Sequence, residues 1–164
     1  LNSQVIHELS NENLSNELIP LWGKENWKIP SKSWSLNLIE LIKPSLILLK
    51  DGVDQARPFF EEPPLEKEGL QQLKIESSRI GLKSLLELLE NKEWDGKNLE
   101  TAKELIQTTS EAVKIKKGII MKSLRAALLG RLKGPDLLTT WGLLAQKGLD
   151  RDRIRKSIKK VSQR

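Results

Sequence analysis

Apolar residues in this 164-residue chain recur at spacings of three and four along most of its length, with no clear alternation with polar ones. A period near 3.6 gathers side chains on one face of a helix, whereas a half-buried strand needs a period of two. Val5, Ile6 and Leu9 fit one side of a short helix, and Leu14, Leu18, Leu21 and Trp22 a second, capped by Ser10 or Asn11 and ended by Gly23 and Asn26. Trp34, Leu38, Leu41 and Ile42 mark a third, broadened by Leu36 and Ile39. Pro44 should stop it, because proline lacks an N–H and disfavours helix at Lys43. A further helix is expected with Pro44 in its first turn and Leu46, Ile47 and Leu49 along it, closed by an Asp51-Gly52 turn. Phe59 and Phe60 anchor the segment that follows.

Glu61-Glu62-Pro63-Pro64 is the strongest boundary, since two prolines resist helix and the acidic pair favours solvent. Beyond it the helical spacing resumes: Leu70 and Leu73, then Leu82, Leu85, Leu86 and Leu89. A helix capped by Asn98 is expected to run to about Thr109, with Leu99, Ala102, Leu105 and Ile106 inward. Met121, Leu124, Leu128 and Leu129 form the next buried stripe, with Gly130 as its C-terminal glycine. Pro135 fits a first helical turn, followed by Leu137, Leu138, Trp141, Leu144 and Ala145 and closed by Gly148. Asp150 should cap a last helix with Ile154, Ile158 and Val161 inward and Arg151, Arg153, Arg155, Lys156, Lys159 and Lys160 on its exposed sides. The fold class expected is all-α, in two consecutive helical bundles.

The chain contains no cysteine, which excludes disulfides and thiolate chemistry and fits a reducing, cytoplasmic setting. No apolar run approaches the ~18 residues of a membrane span. The start at Leu1 suggests a processed chain or a piece of something longer. The net charge of +6 hides an asymmetry. Residues 1–111 carry 13 Lys/Arg against 19 Asp/Glu, and residues 112–164 carry 15 against 3. So basic a final third points to a polyanion, nucleic acid before an anionic membrane; the bland reading is a solvated lysine-rich surface.

Catalytic chemistry is hard to assemble. His7 is the one histidine, near the chain start, and suits a surface or capping role. Neither metal-ligand spacing nor a phosphate-cradling glycine motif nor a nucleophile elbow is present. The five tryptophans fall mostly at core spacing. What remains is binding, at the corner Arg131-Leu132-Lys133-Gly134-Pro135-Asp136. It offers basic side chains for phosphates and the free N–H groups of a helix start. Pro135 and Leu137 could supply apolar surface for a splayed base, and Arg125 a planar fork of donors. Read from the chemistry alone, Arg125 could equally form a helix-surface salt bridge.

The run SLRAALLGRLKGPDLLTTWGLLAQKGLDRDRIRKSI resembles the C-terminal end of bacterial glutamyl-tRNA synthetases. ELIKPSLILLKDGVDQARPFF is similar to an upstream segment of that family, as are LNSQVIHELS and KEWDGKNLE in order, so the likeness spans the chain. It implies two helical anticodon-binding domains, over 10–62 and 63–164, with 1–9 as the tail of a stem-contact domain. It implies no catalytic residue, metal or cofactor here; ATP and Mg2+ would belong to an absent catalytic domain. The resemblance carries anticodon contacts over to Ser45, Arg125, Gly134, Pro135 and Leu137. Lys117, Lys122, Arg131 and Lys133 are candidates for less specific phosphate contacts.

Departures from the family pattern are Val5, Leu129, Gln146-Lys147-Gly148 and above all Ser45. Members strict for glutamate tRNA carry Arg at that place, where it reads the third anticodon base. Serine is too short for that contact, so the implied partners are tRNA(Glu) and also tRNA(Gln), bound by a monomer without membrane attachment. Two other readings compete. One is the related anticodon domain of class I lysyl-tRNA synthetases, disfavoured by the GPDL run with LRAAL upstream. The other is a helical docking module for a protein partner.

Overall fold

A computed structural model describes residues 3–162, which form ten α-helices and, among those residues, no strand. The chain divides into two compact units, Leu1–Glu62 and Pro63–Arg164. The first two residues of the expected stem-contact tail lie outside the described part.

The first unit contains α1 (Ser3–Glu8), α2 (Asn11–Lys24), α3 (Lys32–Ile42) and the single turn α4 (Asp51–Asp54). Ser10 caps α2 by accepting from Asn13 N at 3.0 Å, and Ser31 caps α3 by accepting from Trp34 N at 3.1 Å. Leu14, Leu18 and Trp22 of α2 and Trp34, Leu38, Ile39 and Ile42 of α3 are buried where the two helices meet. Each such side chain contributes roughly 1.5–3 kcal/mol on leaving water. Phe60 sits among three indoles, stacked on Trp27 at 4.6 Å and tilted or edge-on to Trp22 and Trp34. Ile6 of α1 is buried, and Lys43 Nζ donates to Leu9 O, so α1 packs with this unit.

The helix expected from Pro44 through Leu49 does not form. Lys43–Ser45 is a single 3-10 turn, and a loop continues to α4. The reason is Asp51, whose Oδ2 accepts from Ile47 N at 3.1 Å and Leu48 N at 2.9 Å. These donors hold its carboxyl below the usual carboxylate range, the bond from Leu48 weighing most. A carboxylate that captures two successive N–H groups offers the backbone an alternative to helix. Leu46 alone turns inward; Ile47 is 65% exposed and Leu48 46%. Asp51-Gly52, expected as a turn, starts α4, where a Cβ on Gly52 would lie 2.4 Å from Leu18 Cδ2.

The second unit contains α5 (Lys67–Lys74), α6 (Glu76–Asn91), α7 (Leu99–Val113), α8 (Lys117–Leu129), α9 (Leu137–Gln146) and α10 (Leu149–Ser162). Helices α6 and α8 form its centre, each meeting α5, α7 and α10 as well as one another. Leu73, Leu82, Leu85, Leu89, Ile120, Leu124 and Leu128 fill the space between. Gly130 ends α8 in the left-handed region at φ 74° and accepts from Glu66 N at 2.8 Å. A Cβ there would stand 2.2 Å from Pro64 O.

Several inward assignments change. Met121 is exposed, because α7 and α8 leave a groove between them, and Leu99 is exposed at the first residue of α7. Helix α7 runs past Thr109 to Val113 and stops at left-handed Lys114. Asp150 is not a cap at the surface but lies inside α10, 0% exposed. Its Oδ2 accepts from Trp94 Nε1 at 3.0 Å and Trp141 Nε1 at 2.9 Å, so one carboxylate oxygen ties the segment before α7 to α9 and α10. Arg153 is buried rather than on the exposed side, since its Nη1 donates to Leu128 O at 2.9 Å and supplements the end of α8.

Candidate nucleic-acid interface

Helix α8 places Lys117, Met121 and Arg125 one turn apart on a common face. Lys117 and Met121 line a groove of about 440 Å³ with Glu100, Lys103, Glu104, Ile106 and Gln107 of α7 and Leu138 of α9. Its walls are apolar at Met121, Ile106 and Leu138 and charged at the rim, where Lys103 pairs with Glu100 at 3.1 Å.

At the C-terminal end of that face stands the corner 131–136. Arg125 Nη1 donates to Pro135 O at 2.7 Å, which fixes the guanidinium against the loop. Its other donors have no hydrogen-bond partner among the described residues. Burial lowers its pKa, Asp136 opposes that, and Arg131 adds to it as a like charge. An arginine stays protonated under such shifts, so a half-desolvated cation with open donors results. Gly134 is exposed and lies directly over it: a Cβ would be 3.1 Å from Arg125 Nη1 and 2.9 Å from Leu129 Cδ1. Asp136 caps α9 by accepting from Thr139 N at 3.0 Å and Thr139 Oγ1 at 2.9 Å. The cap spends one N–H of the first turn and leaves others free to face an anion.

The structure therefore brings Arg125, Gly134 and Pro135 together. Leu137 departs from expectation: its side chain is only 3% exposed, one turn before Trp141 on the buried face of α9. It cannot offer a shelf to a base; the half-buried Pro135 and Leu138 hold the accessible apolar surface. Arg131 is half-buried beside Gly134, and Lys133, Lys122 and Lys117 are exposed. Sequence reading puts Met121 in the core and so misses the groove. The signal for it is the spacing of Lys117, Met121 and Arg125, a cation at each end of a face with methionine between.

Ser45 lies in the first unit, exposed at the end of its 3-10 turn. Its Oγ is 2.8 Å from Ile42 O and 3.0 Å from Gln55 Oε1, so its one proton is held within the protein. Gln55 carries no charge and belongs to no motif, and its place beside Ser45 emerges only from the fold.

Among the described residues no group of three or more His, Asp and Glu side chains is placed to hold a metal ion. No described helix is long and apolar enough to cross a membrane.

Comparison with known proteins bears on this geometry. Residues 12–158 match the family model described as "Anticodon binding domain". The chain is 55% identical over 158 residues to a glutamate–tRNA ligase of Prochlorococcus marinus (strain MIT 9313), and 52% identical over 159 residues to one of Synechococcus sp. (strain WH7803). Each alignment covers 96% of this chain but 33% of the relative, so the chain spans about a third of the length of the curated proteins it matches. It is similar in structure to a glutamate tRNA ligase from Elizabethkingia meningosepticum CCUG26117, solved in complex with its amino acid. The TM-score is 0.85 at 25% identity, over 98% of this chain and 31% of that one. A glutamate-tRNA synthetase from Elizabethkingia anophelis gives a TM-score of 0.78 at 26% identity, over 96% of this chain and 30% of that one. The all-α fold, the arginine fixed at an exposed basic corner and a family match across most of the chain agree, and the chain belongs to the anticodon-binding domain family.

Proposed function

We propose that this chain is the anticodon-reading part of a glutamate–tRNA ligase that attaches glutamate to tRNA(Glu) and also to tRNA(Gln). ATP and Mg2+ would be held by catalytic sequence outside this chain. The observation that carries the reading is Arg125, fixed to Pro135 O at 2.7 Å with its remaining donors open beside exposed Gly134. A base edge or phosphate in that corner would complete its hydrogen bonds. Lys117, Lys122, Arg131 and Lys133 surround it with positive charge for the anticodon-loop phosphates. Leu137 opens α9, and its backbone N–H is among those that a helix start leaves available to an anion.

Residues 10–62 and 63–164 would serve as two anticodon-binding domains of a cytoplasmic, monomeric enzyme. Ser45 in the first, engaged with Ile42 O and Gln55, supports relaxed reading of the third anticodon base. The related lysyl enzyme is not favoured, since the relatives are glutamate–tRNA ligases. The test is tRNA(Glu) binding by the parent enzyme and its Arg125→Ala variant across a salt series. Affinity should fall steeply with salt as counterions are released. Arg125→Ala should weaken binding by ~1–3 kcal/mol, the size of a specific base contact, with helicity intact. Unchanged affinity in the variant would sink the assignment of Arg125; no salt-dependent binding at all would favour a protein-docking module.

A further inference from the structure

Gln55 closes α4, its N donating to Asp51 O at 2.8 Å, and its side chain is half-buried. Its Oε1 lies 3.0 Å from Ser45 Oγ, while Nε2 has no hydrogen-bond partner among the described residues. Between Ser45 and Gln55 the chain turns Ile47 and Leu48 outward, 65% and 46% exposed, held there by the carboxylate of Asp51. An amide with open valences beside exposed aliphatic side chains is the composition of a site for a splayed base.

We infer that Gln55, steadied by Ser45, reads the third anticodon base through its side-chain amide and accepts both cytosine and guanine. The inference rests on the proposed anticodon function and names the group that performs its relaxed step. The genetic code places cytosine there in glutamate tRNAs and guanine in glutamine tRNAs. A guanidinium at position 45 would offer donors only. These match the O2 and N3 acceptors of cytosine but face the N1–H and N2–H2 donors of guanine. An amide carries one acceptor and one donor group. Against cytosine it takes N4–H and gives to N3; against guanine it takes N1–H and gives to O6. One residue therefore satisfies both bases by turning its amide over, and Ser45 Oγ supports either face, as a donor to Oε1 or, with its proton on Ile42 O, as an acceptor from Nε2. Serine makes this possible by being short: a longer side chain would leave from a point 3.0 Å from the amide and cover it.

The experiment uses the parent synthetase and two tRNA transcripts that differ only by cytosine or guanine at the third anticodon position, with kcat/KM for aminoacylation measured on each. Wild type should charge both. Gln55→Met, which keeps the length and removes the amide, should lower both by about tenfold, the loss of one base contact. Gln55→Glu should shift the preference toward guanine by about tenfold or more. A carboxylate accepts from both N1–H and N2–H2 of guanine but opposes N3 of cytosine, and a merely structural role for Gln55 would not move that ratio. If both variants charge both transcripts as wild type does, the inference falls while the Arg125 corner, scored separately by binding, stands. Strict wild-type preference for cytosine also overturns it, and absence of tRNA binding overturns it together with the proposed function.

Discussion

Removing the carboxylate of Asp150 should be among the most damaging single changes in the second unit. Asp150→Ala deletes one oxygen that serves two indole N–H donors, Trp94 at 3.0 Å and Trp141 at 2.9 Å. Hydrogen bonds to a charged group contribute about 1.5–3 kcal/mol each, so the two together amount to about 3–6 kcal/mol. An offset applies: Oδ1 is buried with no partner among the described residues, and deleting it removes an unfavourable burial. The net expectation is a loss of about 3 kcal/mol, or roughly 6–12 °C in Tm for a chain of this size. Asp150→Asn keeps an acceptor for both indoles and should lose about 1 kcal/mol. Asp152→Ala, two residues along at the surface and paired only with Lys156 at 3.0 Å, should lose under about 0.5 kcal/mol. Urea titrations of the three variants followed by far-UV circular dichroism decide the matter. If Asp150→Ala unfolds with Asp152→Ala, or if Asp150→Asn is as damaging as Asp150→Ala, the shared-acceptor argument is wrong.

Two further outcomes follow from the geometry. Gly134→Val should push Arg125 away from Pro135, because the first added carbon already meets Nη1 at 3.1 Å and Leu129 Cδ1 at 2.9 Å. On the proposed function, tRNA affinity of the parent should drop about tenfold, as for one lost base contact, with Tm little changed; filter binding and a melting curve check the two halves. Lys147 is pushed down to about 8 by burial, with Arg153 adding a like charge. Below that pH the folded state carries an unfavourably placed cation. Between about 8 and the unfolded value near 10.4 the unfolded state binds more protons, so stability should rise with pH across that window. Lys147 is only half-buried, so the gain, discounted for solvent screening, is on the order of 1 kcal/mol. Lys147→Met should abolish the slope in urea titrations at pH 8 and pH 10.

The helical framework was legible because its signals are local. Ser10, Asn98 and Gly130 each act within one turn of chain, and the structure keeps all three. The corner was legible too, since an isolated arginine, a basic loop and Pro135 lie within a dozen residues of sequence. What escaped depends on groups that meet across longer spans or in unexpected roles. The apolar run 46–49 reads as helix until Asp51 takes its N–H groups. Asp150 reads as a cap until two indoles, one of them 56 residues away, converge on it. Leu137 and Met121 exchange their expected sides, because periodicity gives the face of a helix but not which neighbour covers it. Gln55 gives no sign in sequence at all, as an uncharged amide is informative only through what it touches.

The carbonyl of Gly130 has a practical consequence for anyone isolating the second unit. Secondary structure alone would place the start of a minimal fragment at Lys67, the first residue of α5. Such a cut would discard Pro64, whose carbonyl lies against Gly130, and Glu66, whose N–H donates to the Gly130 carbonyl at 2.8 Å. The irregular residues 64–66 are thus a strap over the end of α8, immediately before the basic loop. A transplantable module has to carry that strap, beginning at Pro63, so that the corner arrives already tied down.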